Sequence, residues 1–536
     1  MIRQISLNCI INISIFLIFF IIRFLFIMII FLPVQKLSFI FFSWEFLSVK
    51  LNLSFRSLSF SLILLLVTLS VLLFSSYYLY GEINFNYYYI VLLVFVSRMF
   101  FLIFRNRIFT ILLIWDLLGI SRFFLVLFYN NWDRCRGAIN TALTNRLGDF
   151  FLFVFFSSSI FSSYYFLRLS IFISLSFFFV VVASFTKRAQ FPFRSWLPKA
   201  MRAPTPVSSL VHRRTLVTAG LVLLINFSSS LLNSNLRRII LFAGIFTILF
   251  SRISALVEED LKKVVALSTL SQIGFSILTL GLGLSFISLL HLLRHALFKR
   301  CLFIQVGYII HRSFGQQDGR GYRNIGNFPK FIQIQLLITL FCLCGLFFSR
   351  GAVSKDFILE LCFSNFFIMI FSLIFFISVF LTFFYSYRLW KRFFSIFSRR
   401  VINFSDRKLI NFLSLVLVFS SISFIWWINL NLLSLPRLFL YTDFFMPLLF
   451  LLFFFCAVYF VLKFITKEFF YKFLVDFLAL CVGHNSVNMK FSDLFLNRLN
   501  SKGVSLFSFR NFLGGSFLTR KFNSVVLIIF FLFLLF

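Results

Sequence analysis

The sequence is dominated by long apolar runs that recur from one end of the chain to the other. A helix needs about 20 such residues to cross a membrane, and only a helix or a closed barrel satisfies its backbone polar groups in lipid. These runs predict an all-α fold, a polytopic transmembrane bundle of about 14 to 16 helices. They lie near 7–32, 57–80, 88–104, 108–128, 149–167, 170–186, 204–227, 237–253, 263–284, 286–310, 331–348, 357–386, 409–428, 443–465 and 523–536.

Composition excludes an ordinary soluble protein. Hydrophobic residues make up 61% of the chain and charged residues 12%, whereas a soluble domain carries about 25% charged residues. The eight cysteines form no C-x-x-C pair, and most of them sit inside apolar runs, which is typical of small buried side chains. We therefore expect the lipid bilayer to be the main surrounding of this chain.

The charge balance poses a physical problem. The chain has 51 basic and 16 acidic residues, a formal net charge of +35. The basic residues are spread through the apolar runs and not gathered on one face, so a nucleic acid partner is not predicted. An arginine at the membrane centre costs about 2.5 to 3.5 kcal/mol, and runs containing Arg122, Arg294 or Arg300 carry that cost without enough acids to offset it.

Absent motifs also restrict the chemistry. The chain has no G-x-G-x-x-G, no phosphate-binding P-loop and no H-E-x-x-H. The sequence therefore predicts no cofactor site and no metal site in this chain.

Two charged residues stand out beside the apolar runs. Asp116, in LLIWDLLGIS, lies within one run, where an acid is a candidate functional group by default. Lys187, in ASFTKRAQFPF, precedes Pro192, which breaks or kinks a helix, and a buried lysine at an unwound point is typical of ion transporters. The alternatives are a helix-end acid or a structural ion pair for Asp116, and a lysine that reaches the membrane surface for Lys187.

Three titratable residues share one predicted helix face. His291, His295 and Lys299 are spaced four residues apart in HLLRHALFKR, which aligns them over two turns. Such a row can pass protons through intervening water. Structural hydrogen bonding is the main alternative, and a metal site is less favoured because no third ligand is evident.

Four further residues have less distinctive surroundings. His212 begins a helix after two prolines, and an isolated histidine there is more often a core residue. Lys355 opens an apolar run after a glycine, a position typical of an interfacial anchor. Arg146 and Asp149, in TNRLGD, are predicted to form a structural i, i+3 ion pair.

Together these stretches resemble one family, the antiporter-like chain 5 subunits of mitochondrial respiratory complex I, the NADH:ubiquinone oxidoreductase. The resemblance covers residues 110 to 356 approximately, where the matching strings occur in the same order as in the family. Before residue 100 and after residue 400 it rests on hydropathy alone. The matching strings are IWDLLGIS, TALTNRLGDFFLF, TKRAQFPFRSWLPKAMRAPTPVSSLVHRRTLVTAG, DLKKVVALSTLSQIGF, HLLRHALFK and SRGAVSKDFILE.

The resemblance implies a role for each matched residue. Asp116 stands where the family usually has an intramembrane glutamate, and Lys187 matches the lysine that pairs with it at a broken helix. The central polar axis, along which protons are thought to move, would comprise His212, His291, His295 and Lys299. Lys355 matches the terminal lysine of that axis, at a second broken helix.

The resemblance also implies a setting and five regions. The chain would translocate protons in the mitochondrial inner membrane, beside other membrane-arm subunits, and be encoded in the organelle. Its parent complex would use NADH, FMN, iron–sulfur clusters and ubiquinone, none of them held by this chain. The regions are N-terminal helices at 1–105, an antiporter-like core at 106–390, C-terminal helices at 391–465, a membrane-surface segment at 466–522 and a terminal helix at 523–536. A subunit of a cation/proton antiporter and a structural scaffold are the alternatives.

The arginines depart from the family pattern. The family usually has small or hydroxyl residues at positions where this chain has arginine, so that HRRTLVTAG would ordinarily resemble HSSTLVTAG. Some animal mitochondrial codes translate AGA and AGG as serine. Our hypothesis is that many of these arginines are serine in the cellular protein and that Arg146, which belongs to the family motif, is genuine. The positions are 188, 194, 202, 213, 214, 294 and 350.

Overall fold

The fold is known from a computed structural model of the chain. Contacts divide it into two units, Met1–Lys463 and Phe464–Phe536, and all described residues lie in the first. The structure describes residues 13–19, 21, 23, 37–42, 49–80, 82, 84–104, 108–129, 131–164, 170–210, 216–226, 234–313, 315–322, 330–344, 369–394, 414–417 and 419. The predicted helices at 443–465 and 523–536 and the predicted surface segment at 466–522 lie outside these residues.

The predicted helical transmembrane fold is confirmed. In chain order the helices are α1 (Phe55–Tyr78), α2 (Phe85–Phe104), α3 (Ile108–Val126), α4 (Trp132–Tyr164), α5 (Ser170–Arg188), α6 (Trp196–Ala200), α7 (Thr205–Leu210), α8 (Leu216–Asn226), α9 (Ser234–Val257), α10 (Leu261–Gly281), α11 (Ser285–Arg312), α12 (Lys330–Cys344) and α13 (Met369–Phe394). Five stretches within the described residues are long and apolar enough to cross a membrane: Arg56–Tyr78, Phe85–Phe104, Thr110–Tyr129, Asn235–Val257 and Leu261–Gly281.

Local sequence explains where these helices begin. Helix α1 starts after Ser54, whose hydroxyl accepts a hydrogen bond from the backbone N–H of Ser57, while the Ser57 hydroxyl accepts one from the N–H of Ser54. This reciprocal pair satisfies two backbone donors that the first turn leaves free. The long apolar run that follows then continues as helix for 24 residues.

Two local features differ from the sequence prediction. Helix α4 begins at Trp132, well before the predicted start at 149, because its polar first half packs against other helices and buries Thr141 and Asn145. A short antiparallel hairpin, β1 (Leu37–Phe42) and β2 (Val49–Leu53), precedes α1 and was not predicted. The bundle remains helical apart from this hairpin among the described residues.

Two apolar cores meet along α11. The first is formed mainly by α1, α2, α3, α5, α8 and the first part of α11, up to Leu297. The second is formed by the start of α10, the rest of α11 from Phe298, α12 and α13. Helix α10 packs on both α9 and α11 and is almost entirely buried. Polar side chains on α10 and α11 therefore lie inside protein and not against lipid.

Candidate functional site: a buried ion-pair network and a polar helix face

The break after α5 positions the first candidate residue. The N–H of Gln190 donates to the carbonyl of Phe185 at 3.1 Å, and Ala189 between them has φ +56°, so the helix ends in a Schellman-type turn. Glycine usually fills that left-handed position, and alanine there costs roughly 1 to 2 kcal/mol. Pro192 follows and prevents the helix from continuing. Lys187 thus sits in the last turn of a helix that ends inside the bundle.

Lys187 is buried against a carboxylate. Only 2% of its side chain is exposed, and its Nζ lies 3.1 Å from Oδ1 of Asp149 on α4. The Nζ also lies 3.4 Å from the carbonyl oxygen of Trp115 and 5.0 Å from the Trp115 ring centre, on α3. A Cβ at Gly119 would stand 3.8 Å from this Nζ, an ordinary contact distance, so α3 passes close to the lysine here. The lysine is therefore held by a charge, a carbonyl and an aromatic face.

Close packing of α4 on α5 sets this pairing. A Cβ at Gly148 would stand 2.0 Å from the Thr186 hydroxyl oxygen, so only glycine allows the two helices to approach this far. Asp149 follows directly and reaches Lys187, which directly follows Thr186. The geometry of the buried ion pair thus depends on the absence of a side chain at Gly148.

A second ion pair continues the network toward the surface. Arg146 forms an ion pair with Asp116 on α3, and its Nη1 lies 3.9 Å from Oδ2 of Asp149. The side chains of Arg146 and Asp116 are 55% and 34% exposed. The four groups alternate in sign in the order Asp116, Arg146, Asp149 and Lys187. A change in charge or position at Asp116 can therefore alter the electrostatic energy of a proton on Lys187.

This geometry differs from the predicted pairing. The family resemblance implies that Asp116 pairs with Lys187, whereas the ion pair described for Lys187 is with Asp149 and the one described for Asp116 is with Arg146. The predicted Arg146 and Asp149 contact is present, but Asp149 is nearer to the lysine than to the arginine. The close approach of α4 to α5 at Gly148 explains the difference, because it brings the α4 carboxylate of Asp149 to the lysine.

The predicted row on α11 is buried in the bundle. The side chains of His291, His295 and Lys299 are 3%, 4% and 0% exposed. The two imidazole rings are nearly parallel, with centroids 6.4 Å apart. The Nζ of Lys299 contacts the hydroxyl of Ser268 on α10. Such a row can hold and pass protons if water reaches it.

Other predicted residues fall outside what the structure describes. His212 and Lys355 lie in the segments 211–215 and 345–368, beyond the described ranges. In the part of the chain that is described, no group of three or more His, Cys, Asp or Glu side chains could hold a metal ion.

Four arginines lie in the interior without a charge partner among the described residues. None of the three guanidinium nitrogens of Arg122, Arg188 or Arg252 has a hydrogen-bond partner among the described residues. In Arg300, only Nε has one, the hydroxyl of Ser70 at 3.2 Å. Arg122 stacks over the Trp196 ring at 3.9 Å. A cation–π contact contributes about 2 kcal/mol, whereas an unpaired buried charge costs several, so these positions are poorly suited to arginine.

Sequence reasoning missed several polar groups near the two sites. Asp149 was noticed only as a structural partner, and Ser268, Gln272 and Tyr385 were not considered. Their signal in the sequence is weak, because serine, glutamine and tyrosine occur throughout apolar helices. The i, i+4 spacing of Ser268 and Gln272 could have indicated a polar face on α10.

Comparison with known proteins identifies the fold and the family. The profile of the family described as NADH:quinone oxidoreductase/Mrp antiporter, TM, matches residues 106–382. NADH-ubiquinone oxidoreductase chain 5 of Ascaris suum is 62% identical over 503 residues, which cover 94% of this chain and 92% of the relative. The chain belongs to the NADH-ubiquinone oxidoreductase chain 5 family. The resemblance seen in the sequence is thereby confirmed.

Other comparisons agree with membership in the chain 5 family. The chain 5 protein of Caenorhabditis elegans is 61% identical over 525 residues, which cover 98% of this chain and all of the relative. A chain in the structure of the Mrp complex from Dietzia sp. DQ12-45-1b shares the fold with a TM-score of 0.75 at 21% identity. That match covers 94% of this chain and 57% of the Mrp chain. At that identity the likeness shows the fold alone.

Proposed function

We propose that this chain is a proton-translocating membrane-arm subunit of NADH:ubiquinone oxidoreductase, in which a Lys187-centred ion-pair network controls proton transfer. Family membership supports the first part, and the buried contact of Lys187 with Asp149 carries the second. Two opposite charges removed from water need each other, since either one left alone costs several kcal/mol. Whether Lys187 carries a proton therefore depends on the distance between its Nζ and the Asp149 carboxylate.

Asp149 is the movable partner in this mechanism. Its carboxylate lies 3.1 Å from the Lys187 ammonium on one side and 3.9 Å from the Arg146 guanidinium on the other. When Asp149 turns toward Arg146, Lys187 loses its counter-ion, and a buried lysine without one releases its proton. When Asp149 returns, Lys187 binds a proton again. The contact of Arg146 with Asp116 sets which arrangement is favoured.

The row on α11 receives the proton in this proposal. His291, His295 and Lys299 supply three exchangeable sites over two turns of one buried helix. His212 and Lys355 extend the axis at its two sides on the strength of the family resemblance. Water between these groups completes the relay, because the ring centroids of His291 and His295 are 6.4 Å apart, too far for a direct hydrogen bond.

The redox chemistry belongs to other subunits. NADH, FMN, iron–sulfur clusters and ubiquinone are assigned to the parent complex on the strength of the family membership of this chain. Its partners are other membrane-arm subunits and the lipid bilayer. Its location is the mitochondrial inner membrane, with the gene in the organelle.

A cation/proton antiporter subunit is the second candidate, favoured by the fold shared with a chain of the Mrp complex. The two functions differ in what the chain assembles with. Purification with flavin and iron–sulfur subunits supports the oxidoreductase, whereas a sodium-dependent proton flux without them supports the antiporter.

Replacing Asp116 with asparagine tests the outer part of the network. The amide keeps the size of the side chain but cannot carry the charge that holds Arg146. We expect normal assembly, because Asp116 is one-third exposed, and proton uptake reduced about tenfold or more, in keeping with the loss of a group that assists proton transfer. Proton uptake and quinone reduction should be measured together in the assembled complex.

The matched control for this change is Asp318→Asn. Asp318 is a surface acid paired with Arg320, in a loop away from the network. Its loss is expected to leave proton uptake unchanged, since an exposed pair contributes about 0 to 1 kcal/mol. Unchanged uptake in the Asp116→Asn complex would remove Asp116 from the mechanism.

A further inference from the structure

Helix α10 presents a polar face inside the bundle. Lys299 on α11 contacts the hydroxyl of Ser268, and this serine begins a series of polar residues spaced for one side of α10. All of them are at most 1% exposed, which is unusual for a helix of this length. The series is Ser268, Ser271, Gln272, Ser276 and Thr279.

The face leads from Lys299 to Tyr385 on α13. Tyr385 is fully buried, and its hydroxyl lies beside the side chains of Ser271 and Gln272. The residue after it, Ser386, has its hydroxyl 2.9 Å from the thiol of Cys344 on α12. Polar groups of four helices, α10 to α13, therefore meet inside the bundle.

These groups do not fully satisfy one another. Among the described residues, the Tyr385 hydroxyl interacts with the side chains of Ser271 and Gln272, but neither this hydroxyl nor the Gln272 amide has a hydrogen bond of good geometry. Each buried polar group left without a partner costs about 1 to 3 kcal/mol. Buried groups of this kind are usually paired by ordered water, which needs two to four polar neighbours. The Tyr385 hydroxyl, the Gln272 amide and the Ser271 hydroxyl supply that number.

A nearby polar pair shows the contrast. Gln305 on α11 accepts a hydrogen bond from the Thr339 hydroxyl at 3.1 Å and donates one to the Cys301 sulfur at 3.3 Å. Its amide is satisfied by protein alone and needs no bridging water. Bridging water is therefore favoured at Tyr385 and Gln272 but not at Gln305.

We infer that Tyr385, Gln272 and Ser271 bind water that forms a lateral branch of the proton path, joined to Lys299 through Ser268. The inference rests on the proposed function, which makes Lys299 a proton carrier. In this hydrogen-bonded row of water and side chains, each proton-carrying group accepts a proton on one side and gives one up on the other. No group is therefore changed after a proton has passed. Tyr385 is a positioning residue here, because it holds the water in line.

Tyr385→Phe is the first test, since it removes one oxygen and leaves the ring in the core. In the assembled complex we expect proton uptake per electron to fall about tenfold, less than the hundredfold or more typical of a direct proton donor. An infrared band of internal water, identified by its shift in H₂¹⁸O, should be lost at the same time. A purely structural tyrosine would not change that band.

A second variant and a control keep the test decisive. Gln272→Met has a similar volume and no hydrogen-bonding amide, so it should give the same defect, and the double variant should be no worse than either single one. Thr382→Val removes another buried hydroxyl of α13, one that donates to the Val379 carbonyl of its own helix, and should change nothing. An equal defect in Thr382→Val would contradict the inference.

Failure of the inference can be told from failure of the proposed function. Normal uptake and an unchanged water band in Tyr385→Phe and Gln272→Met, with a clearly lower proton-to-electron ratio in a Lys187→Met complex, would overturn the lateral branch only. Normal uptake in Lys187→Met would overturn the proposed function itself, and the lateral branch with it.

Discussion

Replacing Asp149 with asparagine is expected to abolish most coupled proton uptake, with a larger effect than the same change at Asp116. Asp149 is the carboxylate at 3.1 Å from Lys187, and both side chains are almost fully buried. Without it, a protonated Lys187 is left uncompensated, at a cost of about 3 to 5 kcal/mol. The lysine then stays neutral and no longer cycles. Proton uptake in sealed vesicles, measured against quinone reduction, tests this expectation.

Two further variants separate chemistry from stability. The double variant Lys187→Met with Asp149→Asn removes both charges, so no buried charge is left unpaired. The amount of assembled complex should therefore be higher than in the single variant Asp149→Asn, while proton uptake stays absent. Asp149→Glu retains the charge and should retain part of the uptake. A complex with Asp149→Asn that pumps normally would show that the ion pair is structural.

Peptide sequencing of the protein from its native membrane is expected to find serine at positions 122, 188, 252 and 300. At these positions arginine is buried and lacks a charge partner among the described residues, and each costs several kcal/mol. Four such costs together exceed the usual net stability of about 5 to 15 kcal/mol. A serine hydroxyl in a helix can instead bond to the carbonyl of the preceding turn, as many buried serines of this chain do.

Paired arginines provide the internal control. Arg146 pairs with Asp116 and Arg320 pairs with Glu259 and Asp318, and both are at least half exposed. We expect arginine at these two positions by mass spectrometry of the same peptides. Arginine at 122, 188, 252 and 300 as well would mean a cationic interior, and the proton pump would then be abandoned in favour of an altered transporter.

Much of the fold could be predicted from apolar length alone. The predicted runs at 57–80 and 88–104 correspond to α1 and α2, because a lipid-spanning helix needs an uninterrupted apolar stretch. The end of α5 beside Lys187 was also predictable, since Pro192 cannot continue a helix. These features depend on residues close to one another in the chain.

Features that depend on contacts between helices could not be predicted in the same way. The first half of α4 is polar and reads as a loop, yet it is helical because other helices cover it. The choice of Asp149 over Asp116 as the partner of Lys187 depends on how closely α4 approaches α5 at Gly148. The spacing of residues along the sequence does not give the distance between α4 and α5.

The central claim is that a proton on Lys187 is coupled to electron transfer elsewhere in the complex. Its most direct test is the number of protons taken up per electron in sealed vesicles containing the Lys187→Met complex, after assembly has been verified. We predict quinone reduction that continues at a reduced rate with a clearly lower proton-to-electron ratio. An unchanged ratio in a fully assembled complex would contradict the claim.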